Sequence, residues 1–314
     1  YTVDRWQFVC GAVASKFSVQ QNAGSVTPPV GYTKYLGATS LSAYSIAATD
    51  KFTQSQSIEG LNVADLGWGT ANAQIVTVSF WVRSSLTGTF GGSLQNNSGN
   101  RSYPFTYTIS AANTWEQKTV TVSGDTTGTW TTDTSQGLVL NLSMGAGSTV
   151  SGTAGTWAAA DYRSATGATS VVGTSGATFY LTGVQLEKGS TSTDFEYVDY
   201  SRQLQMCQRY FEKSYNQDVV PGVASFTPGF ASSVSSSLAP TQANGCSFKV
   251  VKRANPDVVT FNAVTGASGK TYRVSDGASV TTTLTNAGHN GIGYIDVPSS
   301  ANGYYWHFTA TAEL

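Results

Sequence analysis

The two histidines of this sequence, His289 and His307, are the first residues to consider for catalysis. Hydrolysis by an activated serine needs a histidine that a carboxylate orients and a nucleophile that the histidine can deprotonate. His289 lies in the turn NAGHNG. His307 lies in the alternating run YYWHFTATAEL, where a structural or solvent-facing role is the simpler interpretation. Neither residue is accompanied by a GxSxG motif, so the sequence disfavours nucleophilic catalysis.

Paired carboxylates are the second chemistry to consider, because glycosidases hold two acidic side chains about 5 to 9.5 Å apart. Acidic residues of the predicted first domain that could contribute are Glu59, Asp65, Asp125, Asp133 and Asp161. None of them lies in a recognisable pair motif, and Asp194 and Glu196, which are close in sequence, fall in a predicted linker. A pair assembled by folding or across subunits stays open, so a glycan depolymerase remains an alternative.

Aromatic side chains beside short polar ones are the third candidate chemistry. Sugars stack their C–H faces on flat rings and offer hydroxyls to amide, carboxylate and guanidinium groups. Stretches with this composition are DLGWGTAN, NRSYP, GTWTTD and GTWAAADYR. The candidate glycan-binding residues in them are Trp68, Tyr103, Trp130, Trp157, Tyr162 and Arg163. The alternative for each tryptophan is packing in the core or at the edge of a β-sandwich.

The C-terminal region offers a second possible binding surface. The loops TGASGK, NAGHNG and PSSANGYYW are rich in Gly, Asn and Ser, as recognition loops on a rigid scaffold often are. Strand alternation puts Tyr305 and His307 on one face and Tyr304, Trp306 and Phe308 on the other. One face should belong to the core, which leaves part of the cluster, with Tyr305 and Trp306 as candidates, for a glycan.

The composition limits the classes of function. The chain has 314 residues, of which 11% are charged and 40% are hydrophobic, and its net charge is −1. Because no basic patch is present to neutralise phosphates, we do not expect nucleic acid as a partner. No run of about 18 apolar residues predicts membrane insertion. The sequence begins at Tyr1 without Met or a charged leader, which favours a processed product or a fragment of a longer chain.

The three cysteines, Cys10, Cys207 and Cys246, are widely separated in the sequence. They have neither the even number of a disulfide framework nor the CxxC spacing of a zinc site. We therefore expect buried free thiols and no cofactor that depends on cysteine.

Alternation of apolar and polar residues is the main structural pattern. Runs such as AQIVTVSFWVRSS, WEQKTVTVSG, QGLVLNLSMG and ATFYLTGVQLE are bounded by Gly, Asn and Ser, as β-strands are. The pattern predicts an all-β first domain over residues 1–188, an antiparallel sandwich of jelly-roll type. The QIVTVSFWV run, which is bulky at nearly every position, predicts a strand covered on both faces.

The spacing of apolar residues changes from the period of a strand to that of a helix in residues 189–218. This segment is a predicted linker with one short helix over residues 201–216. The residues proposed for its apolar face, and for contacts with other copies of the helix, are Leu204, Met206, Cys207, Tyr210 and Phe211. Ser201 is the expected N-cap, and Asn216 is the expected end. Residues 219–314 return to the β pattern and predict a second, smaller β-sandwich.

The stretch GVQLEKGS, then TDFEY, then SRQLQMCQRYFEK resembles a segment common in bacteriophage tail fibres and related phage structural proteins. YTVDRWQF, SFWVRSSLTGTF and GDTTGTWTTDTSQGLVLNLSMG resemble the upstream domain of that family, and FKVVKRANPDVVTFNAVTG with FTATAEL resembles its distal β-domain. The first domain is also similar to the carbohydrate-binding jelly rolls attached to glycan-active enzymes. The resemblance covers nearly the whole chain, although the sequence lacks the Asn-Gly-rich strand with which the family usually begins.

The resemblance implies a virion-surface protein that is assembled in the host cytoplasm and attaches the phage to a host-surface glycan without catalysis. Such fibres are commonly homotrimers that also contact other virion proteins, so the short helix is expected to pack either against its own copies or between the two β-domains. A head fibre or capsid decoration protein with a structural role is the alternative, and a depolymerase is the second.

The resemblance also bears on metal binding. In related jelly rolls, carboxylates from the two ends of the domain can share a structural calcium with backbone carbonyls, and calcium accepts such an all-oxygen set. The corresponding positions here are Asp4 and Glu187, although Asp4 could instead pair with Arg5 or a turn amide. A structural calcium is therefore a possibility, and no other cofactor is expected.

Overall fold

The structure is a computed structural model, and it describes residues 5–11, 13, 15–227, 230–232, 234–235, 241–298 and 303–314. Contacts divide the chain into two compact units, residues 1–197 (unit 1) and residues 198–313 (unit 2). The division falls after Tyr197, beyond the predicted domain end at 188, and it groups the predicted linker helix with unit 2. In the part of the chain that is described, no helix is both long and apolar enough to cross a bilayer.

Unit 1 is built almost entirely of strands, joined by loops and three short 3-10 turns at Ala23–Ser25, Gly60–Asn62 and Ala64–Leu66. Its strands are β1 (Trp6–Cys10), β2 (Phe17–Gln21), β3 (Leu36–Ser40), β4 (Lys51–Glu59), β5 (Val76–Ser84), β6 (Gly88–Asn96), β7 (Ser102–Ile109), β8 (Glu116–Val122), β9 (Gln136–Ala146), β10 (Ser151–Gly152), β11 (Ser164–Ala165) and β12 (Thr178–Lys188).

Two antiparallel five-stranded sheets form a sandwich, which confirms the predicted all-β jelly-roll class. Sheet 1 has the order β1-β4-β9-β6-β7, and sheet 2 has the order β2-β3-β12-β5-β8. Strand β5 shows why the sequence folds this way, since Val78, Phe80 and Val82 are fully buried toward the core. Thr77 and Ser79 on the other face are also buried, so the strand is covered on both faces, as predicted.

Unit 2 contains two antiparallel sheets, and it also confirms the predicted class. Its strands are β13 (Phe211–Lys213), β14 (Phe230–Ser232), β15 (Val234–Ser235), β16 (Thr241–Ser247), β17 (Asp257–Asn262), β18 (Lys270–Arg273), β19 (Ser279–Thr281), β20 (Thr283–Gly288), β21 (Gly291–Val297) and β22 (Tyr304–Thr311). In sheet 3, β13, β14, β17 and β18 pair with β22, and β19 pairs with β18. Sheet 4 has the order β15-β16-β21-β20. Ile292 and Ile295 of sheet 4 pack with Trp306 and Phe308 of sheet 3 in one core, which makes unit 2 a sandwich.

The helix α1 (Tyr200–Gln208) is shorter than predicted. Its N-cap is Asp199 rather than Ser201, because the Asp199 carboxylate accepts hydrogen bonds from the backbone N–H groups of Ser201 and Arg202. The helix stops at Gln208 because residues 211–213 form β13, which pairs with β22 from Phe211 opposite Thr311 onward. The prediction that the helix extends to Asn216 is therefore wrong, since pairing with a distant strand replaces the last turns.

The predicted helix residues consequently have different environments. Tyr210 is 3% exposed and packs into unit 2, whereas Phe211 belongs to β13 and is 36% exposed. Met206 is 45% exposed. Leu204 and Cys207 are partly buried on α1. Cys207, like Cys10 and Cys246, is a free and only partly buried thiol, so the expected free state holds while full burial does not.

His307 is buried on β22 in unit 2 and has a structural role. Its Nε2 lies 2.8 Å from the Ser225 carbonyl oxygen, and its Nδ1 lies 2.9 Å from the Ser214 hydroxyl. A carbonyl can only accept, so Nε2 carries the proton, and Nδ1 accepts from the Ser214 hydroxyl. The ring also stacks on Tyr215, with centroids 3.9 Å apart. Both nitrogens of the neutral, buried imidazole are therefore hydrogen-bonded.

We expect unit 2 to lose stability as the pH falls, because burial lowers the pKa of His307 below its ordinary value of 6.5. The folded state then binds fewer protons than the unfolded state, so the stabilisation is present above pH 6.5 and is lost as the pH falls through the lowered pKa. One pKa unit of difference corresponds to about 1.4 kcal/mol. Amide hydrogen exchange of β22 at acid and neutral pH measures the loss.

Two variants make this pH test specific. His307→Gln should flatten the pH dependence of exchange in unit 2, whereas His289→Gln, at an exposed turn, should leave it unchanged. A profile for His307→Gln that follows the parent protein would contradict the assignment.

Candidate functional site

Four of the predicted glycan-binding residues meet at one edge of unit 1. The ring centroids of Trp68 and Trp130 are 4.7 Å apart, those of Trp68 and Trp157 are 5.3 Å apart, and those of Trp130 and Trp157 are 5.5 Å apart. Tyr103 packs on Trp157 at 5.3 Å. All four contacts are edge-to-face, which is a favourable aromatic geometry. The residues thus form one aromatic cluster, although they lie far apart in the sequence.

The aromatic cluster is largely committed to packing. Trp68 is 7% exposed and Tyr103 is 8% exposed, so neither ring offers a flat face to a sugar. The structure therefore supports the packing alternative for these two residues. Trp130 and Trp157 are only partly buried and pack against the core from its edge. What remains available to a ligand in the aromatic cluster is the exposed part of these two rings.

An ion pair holds the aromatic cluster in place. Arg101 donates to Asp125 through Nε at 2.8 Å and through Nη2 at 2.5 Å, and its guanidinium lies 5.9 Å from the Trp157 ring. Trp130 Nε1 also donates to Asp125, at 3.2 Å. Burial opposes ionisation of Asp125, but the bonds from Arg101 and Thr127 outweigh it and lower the pKa of the carboxyl group. Asp125 therefore stays ionised and bonded.

The outer face of sheet 1 carries a continuous polar row. On β9, Leu140 and Leu142 face the core, so Asn141 between them points to the opposite face. Strand register places Asn141 opposite Ser55 of β4 and Ser93 of β6. Ser55 donates to the Asn141 side-chain oxygen at 2.7 Å, and the Asn141 amide donates to Ser93 at 3.2 Å. These groups are nearly inaccessible, and they form a hydrogen-bonded floor.

The polar row continues to a charged cluster that reaches solvent. The Asn141 amide donates to Gln95 at 2.8 Å, and Gln95 donates in turn to Asp161 Oδ1 at 2.7 Å. Arg163 Nε donates to the same oxygen at 2.7 Å, while Lys51 Nζ donates to Asp161 Oδ2 at 3.2 Å. The side chains of Asp161, Lys51 and Arg163 are 40%, 24% and 18% exposed. We call these three residues the ion cluster.

Electrostatics keep Asp161 ionised in the ion cluster. Partial burial opposes ionisation, but hydrogen bonds from Gln95 and the charges of Arg163 and Lys51 outweigh it and lower the pKa of Asp161. Two cations then share one anion, which leaves the ion cluster with one unit of positive charge.

Residues 151–165 cover part of sheet 1 and supply Asp161 and Arg163 of the ion cluster, whereas Lys51 comes from β4. Residues 151–165 can pack this closely on sheet 1 because position 91 is glycine. A Cβ atom there would lie 2.3 Å from the Ser164 hydroxyl. Tyr162 lies against Gly152, where a Cβ atom would lie 2.2 Å from the ring. The backbone N–H of Tyr162 also donates to the Ser102 hydroxyl at 3.2 Å. Tyr162 is partly exposed and lies between Asp161 and Arg163 in the sequence.

The predicted site residues of unit 2 do not form a comparable surface. Trp306 is fully buried, so its ring cannot stack on a sugar, and this prediction is wrong. Tyr305 is partly exposed, but it packs edge-to-face on Phe226 at 5.8 Å and stacks with Tyr272 at 6.4 Å. Both faces of β22 are covered. Trp306 and Phe308 on one face lie in the core, and Tyr215 stacks on His307 on the other face.

Of the two carboxylates suggested for calcium, Glu187 alone lies within the described residues. Asp4 lies outside the described residues. Glu187 on β12 accepts hydrogen bonds from the Thr193 hydroxyl at 2.5 Å and from the Thr193 backbone N–H at 3.1 Å. Burial opposes ionisation of Glu187, but these bonds outweigh it and lower its pKa. Within the described ranges no group of three or more metal-ligating side chains occurs.

Sequence reasoning did not select Lys51, Gln95 or Asn141. A usable signal exists in β9, where Asn141 interrupts the apolar run QGLVLNLSMG, and in β4, whose sequence KFTQSQSIE is polar at nearly every position. A strand inside a sandwich with a polar outer face is typical of a covered or binding surface. The sequence alone does not say that β4, β9 and β6 are neighbours.

No protein-family model matches the chain, and no curated protein matches it. Solved structures similar to it include the enzymatically active domain of bacteriophage CBA120 tailspike protein 4, with a TM-score of 0.33 and 9% identity over 59% of this chain. The chain spans 19% of that tailspike chain.

The family 11 carbohydrate-binding module from Clostridium thermocellum, in complex with a mixed-linked tetrasaccharide, has a TM-score of 0.31 and 10% identity over 61% of this chain and 92% of the module. The xylan-binding CBM22-1 domain of Paenibacillus barcinonensis Xyn10C has a TM-score of 0.28 and 12% identity over 61% of this chain and 90% of the domain. The assignment of the fold rests on the strand order and pairing described above.

Proposed function

We propose that this chain is a phage virion fibre or spike protein that attaches to a host-surface glycan through unit 1 and does not cleave it. The observation that carries the proposal is the polar row of sheet 1, which ends at the ion cluster that reaches solvent. Asp161, Lys51 and Arg163 offer charged donors and acceptors that a sugar hydroxyl can reach. The buried amides beneath them hold these groups in place before a ligand arrives, which reduces the entropy lost on binding.

The state of the carboxyl groups favours binding over hydrolysis. A glycosidase needs one carboxylic acid whose pKa is raised, so that it can protonate the leaving group. Five carboxyl groups in the described part of unit 1 have a lowered pKa, namely Glu116, Asp125, Asp133, Asp161 and Glu187. Asp125 and Asp161 are further engaged by arginine side chains. We infer an adhesin rather than a depolymerase.

The proposed location on the virion surface, in contact with other virion proteins, is supported by the VQLE and CQRYF motifs. Assembly as a homotrimer is supported by apolar side chains that unit 2 leaves exposed: Tyr200 (67%), Met206 (45%), Val220 (69%) and Phe226 (59%). Exposed apolar surface of this kind is typical of an interface. Three weak glycan sites on one particle raise the avidity by orders of magnitude without a tight single site.

A glycan array with the purified protein, combined with light scattering and an assay for released sugar, tests this proposal. We expect a trimeric mass, binding to bacterial polysaccharides and no release of sugar. Release of sugar would establish a depolymerase. A protein that binds no glycan would support the structural alternative, a head fibre or capsid decoration protein.

Tyr162→Ala should weaken glycan binding about fivefold, since loss of an aromatic contact costs roughly 1 kcal/mol. Tyr197→Ala is the matched control, because Tyr197 is a 65% exposed tyrosine of unit 1 whose hydroxyl donates to the Gly31 carbonyl, away from sheet 1. Affinities of both variants are measured by titration calorimetry against the polysaccharide found on the array. Equal affinities in the two variants would contradict the placement of the site.

A further inference from the structure

We propose that the ion cluster selects glycans that carry a carboxylate, such as uronic acids, an inference that rests on the proposed glycan-binding function. The observation is a charge imbalance on the outer face of sheet 1. Lys51 and Arg163 contact different oxygens of the one Asp161 carboxylate, at 3.2 Å and 2.7 Å. A second carboxylate placed beside Asp161 would complete the pairing of both cations.

The remaining donors of the ion cluster are sufficient to bind such a group. An ammonium has three N–H donors, and Lys51 uses one of them on Asp161. A guanidinium has five, and Arg163 uses Nε on Asp161 and Nη1 in a 3.5 Å contact with the Asn141 oxygen. The side chains of Lys51 and Arg163 are 24% and 18% exposed, so part of each cation reaches solvent. Carboxylate is the acceptor to which such donors bind most strongly in a sugar.

The Asp50 carboxylate does not cancel the charge of the ion cluster, because it is buried and hydrogen-bonded elsewhere. Asp50 adjoins Lys51 in the sequence, but it is 6% exposed. Its Oδ2 accepts from the Tyr44 hydroxyl at 2.8 Å and from the Ala47 backbone N–H at 2.7 Å, within the loop that precedes β4. The floor beneath the ion cluster is neutral, since it consists of Ser, Asn and Gln side chains. The cations are therefore accessible, and Asp161 is their only anionic contact among the described residues.

The test uses purified bacterial polysaccharides with and without uronic acid. Each is titrated against the full chain before and after chemical reduction of its carboxylates to primary alcohols. We expect binding of the uronic-acid polymers to fall about tenfold on reduction, the loss that one charge-assisted hydrogen bond typically brings. The same affinity should fall as NaCl is raised from about 0.05 M to about 0.5 M, because salt screens the attraction.

Two variants assign the effect to the ion cluster. Lys51→Met and Arg163→Gln each remove one positive charge and should weaken binding of the acidic polymer about tenfold more than binding of the reduced polymer. Lys188→Met is the matched control, because Lys188 forms a similar pair with Asp65 at 3.2 Å elsewhere in unit 1. Asp161→Asn acts in the opposite direction and should strengthen acidic binding, since it raises the positive charge. Thermal unfolding confirms that each variant is folded, and Arg163→Gln carries the test if Lys51→Met is not.

The outcomes separate this inference from the proposed function. Equal affinity for acidic polymers in Lys51→Met, Arg163→Gln and Lys188→Met would overturn the inference. Binding of neutral glycans alone would overturn it while the adhesin proposal stands. Binding only to polymers that carry phosphate, inhibited by inorganic phosphate, would show that the ion cluster selects phosphate. That result would overturn the assignment of carboxylate as the ligand. Absence of binding to every polymer would overturn both proposals.

Discussion

Trp306→Ala should destabilise unit 2 by about 3 to 5 kcal/mol, the usual cost of truncating a fully buried aromatic side chain. Trp306 has no exposed surface, and it lies in the core of unit 2 with Phe308, 6.1 Å away. Because Trp306 is the only tryptophan after residue 197, the variant also removes the fluorescent probe of unit 2. Amide hydrogen exchange of β17 and β22 is the appropriate measurement.

Tyr305→Ala is the matched comparison for this variant. Tyr305 adjoins Trp306 on β22 but is partly exposed, so its truncation should cost less than half as much. Glycan binding by folded unit 1 should be unchanged in both variants. Loss of glycan binding in Trp306→Ala without a change in hydrogen exchange would contradict the assignment of Trp306 to the core.

Lys252→Met should destabilise unit 2 by about 3 to 5 kcal/mol, because it leaves a buried carboxylate without its cation. Lys252 and Glu212 are 0% and 2% exposed, and Nζ lies 2.6 Å from Glu212 Oε2. The ammonium also donates to the carbonyls of Gln208 and Val250, at 2.6 Å and 2.9 Å. Two of these bonds, to Gln208 and Glu212, connect the end of α1 to β13, and the third reaches the loop that contains Val250.

The double variant Lys252→Met with Glu212→Gln should recover much of this loss. The glutamine is neutral, and its side-chain oxygen can still accept from the Lys249 backbone N–H, which Glu212 binds at 3.0 Å. A double variant as unstable as Lys252→Met would show that lost hydrogen bonds, rather than the unpaired charge, dominate. Arg273→Met provides the surface control, since its pair with Asp276 is 21% and 49% exposed and, screened by solvent, should contribute little to stability. Hydrogen exchange resolved along unit 2 measures all three variants.

The helix illustrates where sequence reasoning stops. Leu204, Cys207 and Tyr210 have helical spacing, which correctly predicts that a helix is present. Its end depends on β22, whose residues Thr309 and Thr311 lie about a hundred positions further along the chain. Propensity describes local preferences of the backbone, and it has no information on which distant edge will offer hydrogen bonds. Phe211 was therefore predicted in a helix although it lies in a strand.

The aromatic cluster makes the same point for the candidate site. Composition identified Trp68, Trp130 and Trp157 separately, because each lies in a polar, glycine-containing stretch. Their convergence in mutual edge-to-face contact depends on the loops that sandwich folding places side by side. The structure shows that Trp68 is buried and therefore serves packing, which composition alone does not reveal.

Local patterns in the sequence predict the all-β class, a helix in the linker and the core face of strands such as β5 and β9. These features follow from alternation and spacing over a few neighbouring residues, where the periods of strand and helix act directly. The polar side chains of the candidate site become neighbours only through tertiary folding. Lys51, Gln95, Asn141 and Asp161 come together because β4, β9 and β6 are adjacent in sheet 1 and residues 151–165 fold over them. Such adjacency results from packing and strand pairing between distant segments, and for that reason it leaves no local period in the sequence.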